Sequence, residues 1–276
     1  ERIYFMNDRR IVVKVGTSTL THDSGKLNLR RIEQLVRVLS DIQGACNQVI
    51  LVTSGAIAVG TAKMGWKERP RTLRGKQAAA AVGQCQLIHI YDQFFSEYNR
   101  SVAQILLTGD DVEEKDRAEH LSNTFEALLE MGVIPVVNEN DSVSSAEIGT
   151  GRHKILGDND TLSAIVAKLC RADLLVLLSD IDGLYDADPR EHSEAKLIRK
   201  VTELSEELFE SAGGAGTQRG TGGMATKLSA ARITLSAGCD MVIANGERAE
   251  NLYDILEGKE VGTLFLAHRE EYYDRA

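Results

Sequence analysis

Short, unbroken apolar runs alternate with longer helical patterns along almost the whole chain, and this alternation restricts the fold more than any other feature. The run LLVLL at residues 174–178 is apolar at every position and does not alternate with polar residues, which is typical of a strand buried on both faces. Parallel strands joined by helices produce such a pattern. The sequence therefore predicts an α/β fold with a mostly parallel sheet that helices cover on both faces.

The expected elements follow one another with short connections. Strands are expected within residues 10–18, 101–107, 133–137, 173–179, 239–246 and 261–266, and a strand, a turn and the start of a helix within residues 49–60. Helices are expected within residues 27–41, 74–98, 117–131, 157–170, 202–211, 249–257 and from the glycine-rich segment to residue 237. A boundary between two halves of the chain is expected near residues 170–171.

Polar residues cluster directly after several of the predicted strands. The clusters are Gly16-Thr17-Ser18, Thr53-Ser54-Gly55, Asn138 to Asp141, Ser179-Asp180 and Asn245-Gly246. Ligands of open α/β sheets bind at the carboxyl ends of the strands, so these clusters predict a ligand site there. Ser54 is expected to cap the helix that follows it, and Gly55 to let a ligand approach the backbone closely.

A glycine-rich segment, GGAGTQRGTGGMATKL at residues 213–228, indicates a second binding feature. It has six glycines within residues 213–223 and leads into a predicted helix that carries Lys227. Exposed N–H groups of a glycine-rich turn, a helix N-terminus and a lysine together favour phosphate binding. The alternative is a surface loop before an ordinary helix. Neither the P-loop pattern nor the dinucleotide-binding glycine pattern fits the spacing well.

Lys14 lies in the middle of the first apolar run. Lysine is almost never fully buried without a partner. Either its stem lies along apolar surface with the ammonium in water, or the residue is placed there to meet an anion. The sequence leaves both interpretations open.

Charge and cysteine usage limit the classes of partner. A net charge of −9 argues against nucleic acid or an anionic membrane as a general partner, although a local basic pocket remains compatible with it. The four cysteines are far apart and form no CxxC pair, which argues against a metal or redox framework and fits a reducing cytoplasm. No apolar run approaches the length of a membrane span, and the first residues do not resemble a signal peptide.

Together, six segments in order along the chain resemble the amino acid kinase superfamily and, within it, the family of glutamate 5-kinases. The segments are VVKVGTS (12–18), VTSGAIAVG (52–60), VVNENDSV (136–143), GDNDTLSA (157–164), LLSDIDGLYDADPR (177–190) and GTGGMATK (220–227). The resemblance implies a three-layer α/β/α sandwich around a mostly parallel open sheet. It implies one kinase domain over residues 1–276, with a glutamate-binding lobe (1–170) and an ATP-binding lobe (171–276). The C-terminal PUA domain of many relatives is expected to be absent, and the loop at residues 149–154 to be longer than usual.

The resemblance also implies roles for individual residues. Lys14 and Lys227 stabilise the phosphoryl group in transfer, and Asp160 holds the two lysines in place. Gly16 and Gly55 offer backbone N–H groups to the oxygens of the transferring phosphoryl group. From its position alone, Asp160 can also be explained as an acidic residue at a helix N-terminus.

Substrate contacts are implied in the same way. Glutamate is expected to meet Ser54, Asp141 and Asn159, although Asp141 alone is also typical of an Asx turn after a strand. ATP is expected to meet Lys14, Gly16, Ser179, Asp180, Thr221, Gly222, Gly223, Met224, Ala225, Thr226 and Lys227. Mg²⁺ is expected to be bound by the ATP oxygens, without a dedicated protein metal site.

The function implied is the ATP-dependent phosphorylation of the glutamate side chain, the first step of proline biosynthesis, with feedback inhibition by proline. A homo-oligomer and a glutamyl phosphate reductase as partner are also implied. Two alternatives stay open. One is another amino acid kinase, acting on acetylglutamate, aspartate, carbamate or UMP, against which the TSGA and NEND segments argue. The other is a nucleotide-binding regulatory module without turnover, against which Lys14, Asp160 and Lys227 argue.

Overall fold

The computed structural model describes residues 8–22, 24–143, 158–192, 194–206, 208–209 and 223–268. Its strands are β1 Arg10–Val15, β2 Gln48–Val52, β3 Val102–Leu107, β4 Ile134–Glu139, β5 Leu174–Ser179, β6 Lys200–Val201, β7 Asp240–Asn245 and β8 Thr263–Phe265. Its helices are α1 Thr17–Leu20, α2 Leu29–Gly44, α3 Ala56–Lys63, α4 Leu73–Glu97, α5 Gly109–Glu113, α6 Lys115–Glu130, α7 Asn159–Leu169, α8 Met224–Ser236 and α9 Asn251–Leu256.

The strands form one sheet in the order β3-β4-β2-β1-β5-β7-β8-β6. Every pairing is parallel except that between β7 and β8. Strand β1 lies in the middle, and Lys14 stands opposite Val52 of β2 and Leu177 of β5. The predicted α/β fold with a mostly parallel sheet is confirmed.

Helices cover both faces of the sheet, as alternation along β1 shows. Ile11, Val13 and Val15 belong to a core that also contains residues of α2, α4 and α9, whereas Val12 belongs to a second core with residues of α6, α7 and α8. Because side chains alternate along a strand, Lys14 points to the same face as Val12. The lysine therefore lies on the side of the sheet that α7 and α8 cover.

Helices α3 and α4 cross in close contact. A Cβ on Gly60 would lie 1.8 Å from the carbonyl oxygen of Ala79, and one on Gly83 would lie 1.8 Å from that of Ala56. Any side chain at either position would overlap the opposite backbone, so the contact requires glycine. This crossing holds the middle of α4 against the first residue of α3.

Two local predictions need correction. Ser54 does not cap α3, because Gly55 takes the N-cap position in a left-handed conformation (φ 94°) and turns the chain between Ser54 and the helix. Strand β6 was missed because it has only two residues, of which Lys200 is exposed. The helix expected at residues 202–211 lies partly outside the described residues.

Candidate active site

The carboxyl ends of the central strands bring the predicted polar clusters to one edge of the sheet. Gly16 follows β1, Ser54 follows β2, and Ser179 ends β5. Asn138 is the second-to-last residue of β4, which ends at Glu139. Since these strands are parallel neighbours, the clusters meet although they are far apart in sequence.

A carboxylate between two lysines lies at the centre of this edge. Lys14 Nζ lies 2.6 Å from Asp160 Oδ1, and Lys227 Nζ lies 3.0 Å from Asp160 Oδ2. The side chains of Asp160, Lys227 and Lys14 are 1%, 5% and 12% exposed. The Lys227 contact is a hydrogen bond, whereas the Lys14 contact is an ion pair outside hydrogen-bond geometry. Three distant segments, β1, α7 and α8, thus join in one charged cluster.

The two lysines determine the ionisation of Asp160. Burial raises the pKa of this carboxyl, but the charges of Lys14 and Lys227 and the hydrogen bond from Lys227 outweigh burial, and the pKa lies below its ordinary value. A lowered pKa in the folded state adds stability above the unfolded pKa, and this stability is lost only as the pH falls through the folded pKa. Asp160 is therefore ionised throughout the neutral range.

The N-terminus of α7 is capped by Asp158, not by Asp160. Asp158 Oδ1 accepts hydrogen bonds from the backbone N–H groups of Asp160 (2.7 Å) and Thr161 (2.9 Å). The Asp160 carboxylate turns towards the lysines, and Thr226 Oγ1 lies 3.1 Å from its Oδ2. Asp158 thus supplies the helix cap, and Asp160, an acidic residue in the first turn of α7, also pairs with the two lysines.

The predicted glutamate contacts lie around the ends of β2 and β4. Ser54 Oγ donates to the carbonyl of Val15 at 3.1 Å and lies 3.2 Å from Thr17 Oγ1. Asn159 Nδ2 donates to the carbonyl of Thr53 at 3.0 Å. Asp141 is partly buried, and burial raises its pKa despite the opposing charge of Arg69. A bound cation would stabilise this carboxylate in its charged form.

The described part of the predicted ATP site comprises three segments, at the start of α8, the end of β5 and the end of β1. Gly223 is the N-cap residue of α8 without a side-chain cap, and Met224, Ala225 and Thr226 form the first turn. At the end of β5, buried Ser179 donates from Oγ to exposed Asp180 at 3.1 Å. A Cβ on Gly16 would lie 3.8 Å from Lys14 Nζ, so the backbone there is next to the ammonium. Thr221 and Gly222 lie outside the described residues.

Sequence reasoning missed Gln84, which lies under this site on α4. It is 7% exposed and occupies the same buried stripe of the helix as Ala80, Leu87 and Tyr91. A glutamine on an apolar stripe was the available signal.

The described residues contain neither a metal-binding cluster nor a membrane-spanning helix. No group of three or more His, Cys, Asp and Glu side chains there is arranged to hold a metal ion. Among the helices described, none has the length and apolar character needed to cross a bilayer.

The sequence is similar to known kinases. Residues 9–245 match the amino acid kinase family. The chain is 55% identical to "Glutamate 5-kinase" of Clostridium perfringens, over 96% of this chain and 98% of that protein. It is 53% identical to "Glutamate 5-kinase" of Caldanaerobacter subterraneus, over 93% of this chain and 68% of that protein.

Solved structures resemble the fold at much lower identity. Carbamate kinase from Giardia lamblia bound to AMP-PNP gives a TM-score of 0.67 at 16% identity, covering 96% of this chain and 100% of that one. UMP kinase from Ureaplasma parvum gives 0.63 at 14%, covering 94% of this chain and 99% of that one. These two structures support the fold alone.

Proposed function

Because the chain belongs to the amino acid kinase family and, within it, to the glutamate 5-kinases, we propose that it phosphorylates the side-chain carboxylate of L-glutamate with ATP. An oxygen of that carboxylate attacks the γ-phosphorus, the bond from this phosphorus to the β,γ-bridging oxygen breaks, and ADP leaves. The other product is L-glutamyl 5-phosphate. No general base is needed, because the carboxylate is ionised and nucleophilic at neutral pH.

The cluster of Lys14, Asp160 and Lys227 carries this proposal. The reaction brings two anions together, so its main requirement is positive charge placed beside the transferring phosphoryl group. Lys14 reaches the edge from β1 and Lys227 from α8, and one buried carboxylate holds both ammonium groups. Such fixed charges need no rearrangement as the transition state forms, which is the main source of electrostatic catalysis.

Glutamate binding is assigned to the side of the edge formed by β2 and β4. Its α-ammonium pairs with Asp141, whose carboxylate lies there with a pKa raised by burial. Ser54 and Asn159 contact the rest of the molecule. Asn159 directly precedes Asp160 in α7, so an amino acid held by Asn159 lies next to the lysine cluster.

ATP binding is assigned to the N-terminus of α8 and the end of β5. Backbone N–H groups at Gly223 to Thr226 lie at the positive end of a 13-residue helix. Mg²⁺ is assigned to the ATP phosphates. Asp160 is a poor ligand for it, because two ammonium groups already engage this carboxylate.

The wider assignments rest on the same family membership. The reaction is proposed as the first step of proline biosynthesis in a cytoplasmic homo-oligomer, with residues 1–170 as the glutamate lobe and 171–276 as the ATP lobe. Glutamyl phosphate cyclises in water, so a glutamyl phosphate reductase is proposed as the partner that consumes it. Proline shares the α-carboxylate and α-nitrogen cation of glutamate but has no side-chain carboxylate, and it is proposed to inhibit from the same site.

A coupled ADP-release assay over a set of acceptors tests the proposal. Glutamate should stimulate ADP release far more than acetylglutamate, aspartate, carbamate or UMP. Hydroxylamine should trap the acyl phosphate as a hydroxamate in the same reactions. A Lys227→Met preparation gives the background from contaminating ATPases. Release that does not depend on glutamate, or that another acceptor supports better, would show that the assignment is wrong.

A further inference from the structure

A chain of three side-chain amides leads from α7 to α4. Asn159 Nδ2 donates to the carbonyl of Thr53 (3.0 Å) and to Asn138 Oδ1 (3.3 Å). Asn138 Nδ2 donates to Gln84 Oε1 at 2.8 Å. Asn138 and Gln84 are only 2% and 7% exposed.

Backbone groups fix the direction of these hydrogen bonds. The Thr53 carbonyl only accepts, so it requires the NH₂ group of Asn159. The backbone N–H of Glu139 only donates, and it bonds Asn138 Oδ1 at 2.9 Å. Asn138 therefore presents its NH₂ group to Gln84, and Gln84 must answer with its oxygen. The NH₂ group of Gln84 consequently points away from Asn138 and takes no part in this series of hydrogen bonds.

That NH₂ group is buried without a hydrogen-bond partner among the residues that the structure describes. Leaving buried donors unpaired is costly, and such groups are rare unless a ligand or water completes them. The nitrogen brings two N–H donors, and an oxygen of a ligand carboxylate is an acceptor that would satisfy one of them.

Gln84 itself lies at the amino acid side of the edge, where its side chain contacts Asn138. Its neighbour Gly83 lies against Ala56, directly after the Ser54-Gly55 turn. Tyr91, two helical turns further along α4, lies 2.9 Å from Thr53 Oγ1. Asn138, which Gln84 contacts, belongs to β4, and β4 is two strands away from β1. That corresponds to roughly 10 Å from the strand of Lys14.

We propose that Gln84 binds the α-carboxylate of the amino acid substrate through its side-chain NH₂ group. Gln84 is separated by this distance from β1, where the side-chain carboxylate of the substrate reacts beside Lys14. The α-carboxylate, at the other end of the substrate, is therefore the one within reach of Gln84. Asp141 accepts from the α-ammonium and Gln84 donates to the α-carboxylate, which together recognise an α-amino acid. This inference rests on the proposed function, because it identifies a further contact of the same substrate.

The test is the glutamate dependence of the rate in Gln84→Glu at saturating ATP. This substitution keeps an oxygen towards Asn138 and replaces the two donors with a negatively charged oxygen. We expect KM for glutamate to rise about 100-fold, whereas kcat and KM for ATP stay within about twofold. Gln86→Glu is the matched control. It adds the same charge to α4, but its side chain faces Lys63, and all three constants should be unchanged.

The outcomes separate this inference from the proposed function. A wild-type enzyme that does not phosphorylate glutamate contradicts the proposed function. If the wild-type enzyme phosphorylates glutamate and the KM for glutamate of Gln84→Glu is within about twofold of the wild-type value, only the role of Gln84 is overturned. Equal losses for glutamate and ATP would show a structural role and also overturn it. If Gln84→Glu does not fold, Gln84→Met, which is neutral and similar in size, decides by the same criteria, with an expected increase of about 10-fold.

Discussion

Asp160→Asn is the most informative single change, because it removes one charge and almost no volume. The variant keeps the cap of α7, which Asp158 provides. It leaves Lys14 and Lys227 without the carboxylate that lies 2.6 and 3.0 Å from their ammonium groups. Both the stability and the catalytic rate should respond, for different physical reasons.

The loss of stability follows from burial. Removing one partner of a buried ion pair costs about 3–5 kcal/mol, because the remaining charge has lost its compensation. The lower end applies here, since the Lys14 side chain is 12% exposed and water partly solvates it. For a chain of this size, about 3 kcal/mol lowers Tm by roughly 6–12 °C.

The loss of kcat should be about 10²–10³-fold, as for one preorganised charged group, with only a modest change in KM for ATP.

A second substitution separates the two effects. In Asp160→Asn combined with Lys227→Met, one uncompensated ammonium is gone, so the double variant should be more stable than Asp160→Asn alone. Its kcat should not recover. Urea unfolding and the coupled ADP-release assay measure the two quantities.

Asp116→Asn is the matched control. It removes an exposed first-turn carboxylate from α6, and it should change stability by less than about 0.5 kcal/mol and leave kcat unchanged.

The result that refutes this reasoning is a folded Asp160→Asn enzyme with near-normal kcat. A fall in Tm without a fall in kcat would show that Asp160 matters for stability only. Activity restored by Lys227→Met in the Asp160→Asn background would show that Lys227 does not act on the phosphoryl group.

Four further predictions concern other parts of the molecule. Lys14→Ala or Lys227→Ala should lower kcat by about 10²–10³-fold with an unchanged circular dichroism spectrum, and near-normal kcat would contradict their role. Asp141→Ala should raise KM for glutamate about 10- to 100-fold and leave KM for ATP almost unchanged; equal effects would mean that its loop is structural. Gly83→Ala should lower the free energy of unfolding by about 3 kcal/mol in urea, because its Cβ overlaps the Ala56 carbonyl, and a neutral effect would rule out this tight crossing. Millimolar proline should inhibit at low glutamate and less at high glutamate, and an unaffected rate would exclude a shared site.

The alternation of strands and helices was predictable because it depends on local patterns of apolar residues. The order of the strands was not, since nothing local specifies that β1 lies between β2 and β5. The apolar run around Lys14 left two interpretations open. The structure favours an anion partner, because the ammonium meets Asp160 instead of extending into water.

Part of the site escaped prediction because it depends on packing between distant elements. Gln84 reaches Asn138 only because Gly60 and Gly83 let α4 cross α3 at close contact. A single sequence shows the glycines and the glutamine but not the crossing that makes them neighbours. The burial of Lys227, which is 4% exposed, likewise depends on the packing of α8 against α7.

The charge of the lysine cluster explains why one carboxylate serves two lysines. Two lone ammonium groups in this largely buried position would be costly before any substrate arrived. A carboxylate for each would neutralise the cluster and leave no net positive charge to attract a phosphoryl group. One carboxylate shared by two lysines leaves a net charge of +1, with each ammonium already held in place. The folded chain thus tolerates the lysines without substrate and still offers positive charge to an incoming anion.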